Sequence, residues 1–151
     1  DTLGGRLTRR DFTINAMALR LPDLELVDPC GGLADLRAGV LRTPVSAEQS
    51  FDDDPLRIMR AARFAAQLGF DVEMDVMTAM EEMAPRLEIV SAERVRAELE
   101  RLEAVLVRRA RNRGATWAQI AAALGVSKQA VHKKYAKRVD PRLTRHPRKR
   151  S

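Results

Sequence analysis

The stretch DDDPLRIMRAARFAAQLG, residues 52–69, decides the first part of the fold. Its small and apolar residues recur at helical spacing, Asp precedes Pro55 at the start, and Gly69 follows Leu68 at the end. Asp is a preferred N-cap, Pro is favoured at the first helical position, and Gly commonly ends a helix. The stretch predicts a helix from Pro55 to about Leu68, and it favours a capping role for the three aspartates over metal ligation.

The predicted helix has two chemically different faces. At about 100° per residue, its three arginines fall on one face about 120° wide, opposite small and apolar residues. These arginines are Arg57, Arg60 and Arg63. Asp54 lies one turn before Arg57, so this pair can present an acceptor and a donor to a nucleobase edge while the other arginines hold phosphates. The spacing equally allows the arginines to pair with acids elsewhere in the chain.

The rest of the first hundred residues predicts a short β-hairpin and further helices. Residues 12–19 and 24–28 alternate and flank a turn at Pro22, which predicts the hairpin. The other predicted elements are a short helix at 33–36, a strand at 40–42, a helix at about 72–83 and a long helix from Ser91 towards Arg113.

Composition narrows the class of protein. The 151 residues are 45% hydrophobic but only 4% aromatic, which favours a mainly α protein with a small β-hairpin (α+β). A single cysteine, Cys30, argues against a disulfide framework or a multi-cysteine zinc site, and no metal is expected. The apolar runs are too short for a membrane helix, so a cytoplasmic protein is expected. The start at Asp1 indicates a piece of a longer reading frame.

Charge divides the chain into two parts. Residues 1–103 carry 13 arginines against 20 acids, a net charge of −7. Residues 104–151 carry 14 Lys and Arg against one acid, a net charge of +13. Such a shift predicts two units with different partners, and the basic one is suited to a polyanion.

The basic part contains WAQIAAALGVSKQAVHKKY, residues 117–135, which resembles the helix-turn-helix of bacterial DNA-binding proteins. The pattern predicts a helix capped at Thr116 that ends at Leu124, a turn at Gly125, and a second helix from Ser127 to about Arg138. The apolar residues that we expect to pack between the helices are Ile120, Ala121, Leu124, Val131 and Tyr135. The polar residues that we expect to contact nucleic acid are Lys128, Gln129, His132 and Lys133. Lys134 lies nearer the core side and has to extend its amine to solvent.

Four motifs in the acidic part resemble the bacterial tRNA nucleotidyltransferases, which are the CCA-adding enzymes and their poly(A) polymerase relatives. They are RRDFTINAMA at 9–18, DPCGGLADL at 28–36 with Leu41-Arg42, DDPLRIMRAARF at 53–64, and SAERVRAEL at 91–99. The resemblance covers residues 1 to about 101 and implies the C-terminal part of a catalytic head followed by a helical neck. Asp53 and Cys30 depart from it, because the family usually has Glu and often an aromatic residue there.

The resemblance also implies functional residues. Asp54 and Arg57 would pair with the base of CTP or ATP, and Arg10, Arg60 and Arg63 would contact the nucleotide or its phosphates. The family requires Mg²⁺, but its glycine-rich loop and two metal-binding carboxylates precede these motifs and are not in this sequence. The chain alone is therefore expected not to catalyse CMP or AMP transfer to tRNA.

Together these observations predict four segments. Residues 1–48 belong to the head, 49–103 to the neck, 104–138 to a helix-turn-helix, and 139–151 to a disordered basic tail. The leading functional hypothesis is a tRNA nucleotidyltransferase fragment that retains nucleotide-selecting and RNA-binding residues. The alternative is a DNA-binding helix-turn-helix module on a remnant scaffold, with duplex DNA bound through residues 104–138.

Overall fold

The chain divides into two units, with the boundary between Leu99 and Glu100. The structure is a computed structural model that describes residues 2–139. In chain order, the first unit contains α1 (Leu3–Leu7), β1 (Ala18–Arg20), β2 (Glu25–Val27), α2 (Gly32–Ala38), β3 (Val40–Leu41), α3 (Ala47–Asp53), α4 (Leu56–Leu68), β4 (Asp71–Val72) and α5 (Met74–Met83), with 3-10 turns at Thr13–Asn15 and Ala84–Ile89. Helix α6 (Ala92–Asn112) begins in the first unit and ends in the second, which also contains α7 (Trp117–Leu124) and α8 (Lys128–Tyr135). The predicted class, mainly α with a small β-hairpin, is confirmed.

The predicted hairpin is present but shorter than the alternating pattern indicates. Strands β1 and β2 pair antiparallel, with Ala18 opposite Val27. The prediction that the first strand begins at residue 12 is wrong. The Asp11 carboxylate accepts hydrogen bonds from the backbone N–H of Phe12 at 2.9 Å and the side-chain amide of Asn15 at 3.1 Å. These local bonds favour a 3-10 turn over an extended strand.

The expected role of the aspartates at the start of α4 is wrong for two of the three. Asp52 and Asp53 lie at the end of α3, a helix that the sequence analysis did not predict. Pro55 occupies the N-cap position of α4, and Asp54, one residue earlier, accepts a hydrogen bond through Oδ1 from the backbone N–H of Leu56 at 3.2 Å. Helix α3 starts where the Ser46 hydroxyl accepts a hydrogen bond from the backbone N–H of Gln49 at 3.2 Å, an ordinary N-cap.

Helix α4 contributes to both core clusters of the first unit. Ile58 packs with buried residues of α3 and α5, including Phe51, whereas Ala61 packs with Phe12 and Leu41. The helix begins at Leu56, one residue after the predicted start, and ends at Leu68 as predicted; Gly69 follows it with a φ of 70°, the left-handed conformation that glycine adopts easily. The apolar side of α4 is therefore fixed in the core, and its arginine side is left for polar contacts.

A second, two-stranded sheet lies next to α4. Strand β3 pairs parallel with β4, and Val40 lies opposite Asp71. The strand predicted at 40–42 is present as Val40–Leu41, but Val72 of its partner strand was predicted as the start of a helix. Helix α5 consequently begins at Met74 rather than near residue 72.

The second unit has the predicted helix-turn-helix architecture. Thr116 and Gln119 form a reciprocal capping box at the start of α7, and Gly125 ends that helix with a φ of 67°. Val131 and Tyr135 are buried as predicted. The full buried cluster is Val107, Ile120, Ala121, Val131 and Tyr135. The core prediction is wrong for Leu124, which is 39% exposed because Val107 of α6 supplies the third side of the core.

The end of the described chain differs from the prediction. Helix α8 ends at Tyr135 rather than near Arg138. Val139 is buried, and its backbone N–H donates to the carbonyl of Tyr135 at 3.1 Å, so it does not belong to a disordered tail. The remainder of the predicted tail, residues 140–151, lies outside the described residues. Between residues 2 and 139, every helix is too short or too polar to cross a membrane.

Candidate functional site

The predicted nucleotide-binding pair lies at the junction of α3 and α4. Asp54 is the single residue between Asp53, which ends α3, and Pro55, which precedes α4. Arg57 follows one turn later, and its backbone N–H donates to the carbonyl of Asp54 at 3.0 Å. The capping geometry thus brings an acid and an arginine to the same end of one helix.

Two groups hold the Asp54 carboxylate. Oδ1 accepts from the Leu56 backbone N–H, and the Arg94 guanidinium approaches both oxygens through Nη2, at 3.2 Å from Oδ1 and 3.0 Å from Oδ2. The Asp54 side chain remains 29% exposed. An ionised carboxylate offers about four acceptor positions, so Oδ2 can accept a further donor.

Arg57 is held by neutral oxygens. Its Nη1 donates to the carbonyl and the hydroxyl of Ser50, at 3.3 and 3.0 Å, and its Nη2 donates to the carbonyl of Arg9 at 2.8 Å. A guanidinium carries five N–H donors. Among residues 2–139 these contacts use three of them, which leaves Nε–H and one hydrogen of Nη2 beyond those bonds.

Arg60 and Arg63 have acidic partners within the first unit. Arg60 donates through Nε and Nη2 to Oδ2 of Asp11, at 2.9 and 2.5 Å. Arg63 donates through Nε to Glu98, a fully buried carboxylate on α6. For these two arginines, the alternative of pairing with acids elsewhere in the chain is the arrangement observed.

Arg10 lies beside the arginine face. Its two neighbours in the chain contact α4, because the Arg9 carbonyl accepts from Arg57 and the Asp11 carboxylate accepts from Arg60. The Arg10 side chain is exposed, and no side-chain partner for it is found among residues 2–139. The structure therefore brings Arg10, Asp54, Arg57 and Arg60 to one region.

Sequence reasoning missed the residues that fix this region. They are Asp11, Ser50, Arg94 and Glu98. Three of them lie inside motifs already quoted, but pairing across 35 to 49 positions is not readable from spacing. Ser50 carried no signal beyond its place in a polar stretch.

Nowhere in residues 2–139 do three His, Cys, Asp or Glu side chains come together as a candidate ligand set. Asp52 is instead paired with Arg86 at 2.6 Å, and Asp54 with Arg94.

In the second unit, the predicted nucleic-acid contacts share the outer surface of α8. Lys128, Gln129, His132 and Lys133 are all exposed. The His132 ring meets Trp117 edge-on, with 5.3 Å between centroids, and Arg111 lies 4.8 Å from the same indole ring. Trp117 is partly buried and packs against the core cluster of this unit.

Lys134 belongs to a separate polar cluster. Its Nζ lies 3.5 Å from Oε1 of Glu103, and the Tyr135 hydroxyl donates to the same oxygen. Hydrogen bonding to Tyr135 raises the pKa of Lys134, and burial raises the pKa of Tyr135. The charge of Lys134 is therefore partly neutralised by Glu103. The Lys134 side chain is exposed at the surface, so it does not have to extend from an apolar core to reach solvent.

Three family models match parts of the chain. Residues 2–42 match the poly A polymerase head domain, and residues 69–102 match a family described as "Probable RNA and SrmB- binding site of polymerase A". Residues 96–143 match a homeodomain-like domain.

Curated relatives agree with the first two matches. The chain is 51% identical over 96 residues to the CCA-adding enzyme of Leuconostoc mesenteroides, covering 64% of this chain and 24% of that protein. It is 48% identical over 92 residues to the CC-adding tRNA nucleotidyltransferase of Synechocystis, covering 61% of this chain and 22% of that protein. The chain thus spans about a quarter of the length of these relatives.

Solved structures give the same class. The Bacillus stearothermophilus CCA-adding enzyme in complex with CTP is similar with a TM-score of 0.67 and 39% identity, over 74% of this chain and 28% of that one. The Thermotoga maritima CCA-adding enzyme complexed with tRNA has a TM-score of 0.64 and 38% identity, over 72% of this chain and 28% of that one. Over most of the first hundred residues the chain is therefore similar to part of the tRNA nucleotidyltransferases, and the segment that follows is similar to homeodomain-like domains.

Proposed function

We propose that the first unit selects and binds CTP and ATP for nucleotide addition to the 3′ end of tRNA. The observation that carries this proposal is the placement of Asp54 and Arg57 next to each other at the start of α4, each held by other groups of the protein and each with hydrogen-bonding capacity left. Because the two side chains offer an acceptor and donors that suit the edge of a base, the proposed role of the pair is nucleotide selection.

The chemistry of the two side chains matches cytosine and adenine. Both bases carry an exocyclic amino donor next to an unprotonated ring nitrogen, whereas guanine and uracil place a carbonyl and a ring N–H at those positions. The Asp54 carboxylate accepts from the amino group, and Arg57 donates to the ring nitrogen. With guanine or uracil, the Asp54 carboxylate would face a carbonyl oxygen and the Arg57 guanidinium would face a ring N–H. Neither contact can form a hydrogen bond, which disfavours binding of these bases.

The nucleotide phosphates require cations outside this pair. Exposed Arg10 suits that role, and Arg60, whose side chain is 32% exposed, lies beside it. The Arg63 side chain is only 12% exposed and donates to buried Glu98 of α6. These contacts favour a structural role, in which Arg63 holds α4 against α6. A nucleotide contact by Arg63 stays a prediction.

The tRNA is the second proposed partner, and charge favours the second unit as its electrostatic anchor. The segment matched to the RNA-binding family, residues 69–102, carries nine acids against four arginines. Residues 104–139 carry nine Lys and Arg and no acid. Neutralising phosphates releases counterions, so this basic stretch supplies the favourable free energy of a polyanion complex.

A chimera tests the selection role. The 96 residues of the Leuconostoc mesenteroides enzyme that match this chain are replaced by the residues of this chain, and addition of C and A to a tRNA lacking its 3′ CCA is measured. The chimera should be active, and Asp54→Ala or Arg57→Ala should reduce incorporation by about 100-fold, as expected when a base-reading pair is broken.

Arg20→Ala is the matched control, because Arg20 forms an exposed ion pair with Glu25 on the hairpin. It should leave incorporation unchanged. An active chimera in which Asp54→Ala and Arg57→Ala both retain full rate and full preference for CTP and ATP over GTP and UTP contradicts the proposal.

The second unit supports another candidate function, binding of duplex DNA. The specific observation is the helix-turn-helix geometry, in which α8 presents Lys128, Gln129 and Lys133 on an exposed surface. Lys contacts phosphate or guanine, and Gln pairs with adenine in the major groove.

The full chain is tested against duplex DNA and tRNA in competition over a range of salt concentrations. DNA binding through α8 predicts that duplex DNA competes better than tRNA and that Gln129→Ala lowers discrimination among duplex sequences. Stronger competition by tRNA, with no sequence-dependent effect of Gln129→Ala, rejects the DNA role and favours the second unit as an RNA anchor.

A further inference from the structure

Arg94 stands where a helix does not favour a cation. It lies in the first turn of α6, and its backbone N–H faces the hydroxyl of Ser91 at 3.4 Å. The partial positive charge at a helix N-terminus disfavours Lys and Arg in that turn. The position of this guanidinium therefore has to be explained by what it contacts.

Its contact is the Asp54 carboxylate, forty positions earlier in the chain. The Arg94 side chain is 53% exposed, and an ion pair this exposed contributes little to folding stability. The consequence of the contact lies at Asp54, whose remaining acceptor capacity is used in the proposed recognition of the base.

The geometry fixes the carboxylate without saturating it. The Leu56 backbone N–H holds Oδ1 at 3.2 Å, while one nitrogen of Arg94 spans both oxygens at 3.2 and 3.0 Å. Two separate donors define the rotation of the carboxylate, and Oδ2 keeps a free acceptor position. A preorganised acceptor binds its ligand without a further loss of side-chain entropy.

We propose that Arg94 is a positioning residue for base selection, which sets the orientation of the Asp54 carboxylate towards the amino group of cytosine or adenine. This inference rests on the proposed function of the first unit. It differs from a general electrostatic role, because a guanidinium that merely attracts phosphates acts on all four nucleotides alike.

The test uses the full 151-residue chain, labelled with ¹⁵N and titrated with CTP, ATP, GTP and UTP, with affinities taken from amide chemical shifts. Arg94→Gln should weaken CTP and ATP binding by about 10-fold, within the range for one base contact, and change GTP and UTP binding less than about 2-fold. Arg94→Lys, which keeps the charge, should recover part of the loss.

Arg96→Gln is the matched control, since it removes an exposed arginine two positions away on the same helix. It should leave the ratio of CTP to GTP affinity unchanged. In an Asp54→Ala background, Arg94→Gln should have no further effect on that ratio, because a positioning residue acts only through the group that it positions.

Each failure has a distinct signature. A wild-type chain that binds none of the nucleotides overturns the proposed function and the positioning role with it. A wild-type chain that prefers CTP, combined with an Arg94→Gln variant that matches Arg96→Gln, overturns only the positioning role. Tighter CTP binding by Arg94→Gln also overturns it, because Arg94 would then compete with the base for Asp54.

Discussion

Arg60 donates two N–H groups to a single oxygen of Asp11, with Nε at 2.9 Å and Nη2 at 2.5 Å from Oδ2. The other oxygen of Asp11 accepts from the Phe12 backbone and the Asn15 side chain. One carboxylate, only 7% exposed, thus joins the arginine face of α4 to the chain segment that carries Arg10.

Removal of this carboxylate should be costly. Asp11→Ala leaves the Arg60 guanidinium and the Phe12 amide without their acceptor, and breaking a buried pair typically costs about 3 kcal/mol. The free energy of unfolding is measured by chemical denaturation. Glu25→Ala is the control, because the Arg20–Glu25 pair is 59% exposed on both sides, and it should change stability by less than about 1 kcal/mol. Equal effects of the two substitutions contradict the assignment.

The Asp11–Arg60 pair also shows where sequence reasoning stops. Periodicity and capping placed Arg60 on the polar face of α4, and the resemblance placed Asp11 in a motif. Neither shows that the two meet, because their 49-position separation is closed by the packing of Phe12 against Ala61. Local patterns predict which face is polar, but the partner of a charge is decided by tertiary packing.

A close backbone approach at the start of α2 gives the second prediction. A Cβ on Gly32 would lie 2.1 Å from the carbonyl oxygen of Thr13. Because that oxygen belongs to the backbone, the clash can be relieved only by moving the main chain. Gly32→Ala should lower the free energy of unfolding by about 2–3 kcal/mol through overpacking. Gly4→Ala is the control, since nothing lies within 4 Å of a Cβ built there and alanine is the better helix former. A neutral Gly32→Ala would show that the 3-10 turn at Thr13–Asn15 yields easily.

The third prediction concerns acid stability. The Asp28 carboxylate accepts from the backbone N–H groups of Leu33 and Gly32, at 2.9 and 2.7 Å, and these bonds lower the pKa of Asp28 below its ordinary value of 3.8. A carboxylate whose pKa is lower in the folded state than in the unfolded state stabilises the fold at pH values above the unfolded-state pKa. This stabilisation is lost as the pH falls through the folded-state pKa.

The free energy of unfolding should therefore fall below about pH 4, and Asp28→Asn should flatten this part of the profile. The measurement is chemical denaturation at a series of pH values. Asp23→Asn, at an exposed carboxylate in the hairpin turn, is the control and should keep the wild-type slope. An unchanged acid slope in Asp28→Asn would remove Asp28 as the cause.

Helix α3 illustrates a signal that was present but assigned to the wrong element. Ser46 followed by Gln49 has the spacing of an N-cap pair, and Phe51 is fully buried one turn after Ala47. The run of aspartates was interpreted as the start of the next helix, which hid the end of this one. In the second unit, the capping box and Gly125 gave correct boundaries because the packing agrees with the local signals.

Two neighbouring lysines of α8, Lys133 and Lys134, should contribute differently to nucleic-acid binding. From the sequence, both are cations on a basic helix, but in the structure Lys134 is paired with Glu103 and hydrogen-bonded to Tyr135. Lys133 is exposed on the surface with Gln129 and His132. Only a cation without an acidic partner releases a full counterion when it binds a phosphate.

For the full chain with duplex DNA, Lys133→Ala should lower affinity and reduce the slope of log K against log salt by about 1, whereas Lys134→Ala should change the slope by less than half as much. Fluorescence anisotropy at several salt concentrations measures both slopes. A larger effect of Lys134→Ala would show that Glu103 does not hold Lys134 away from the nucleic acid.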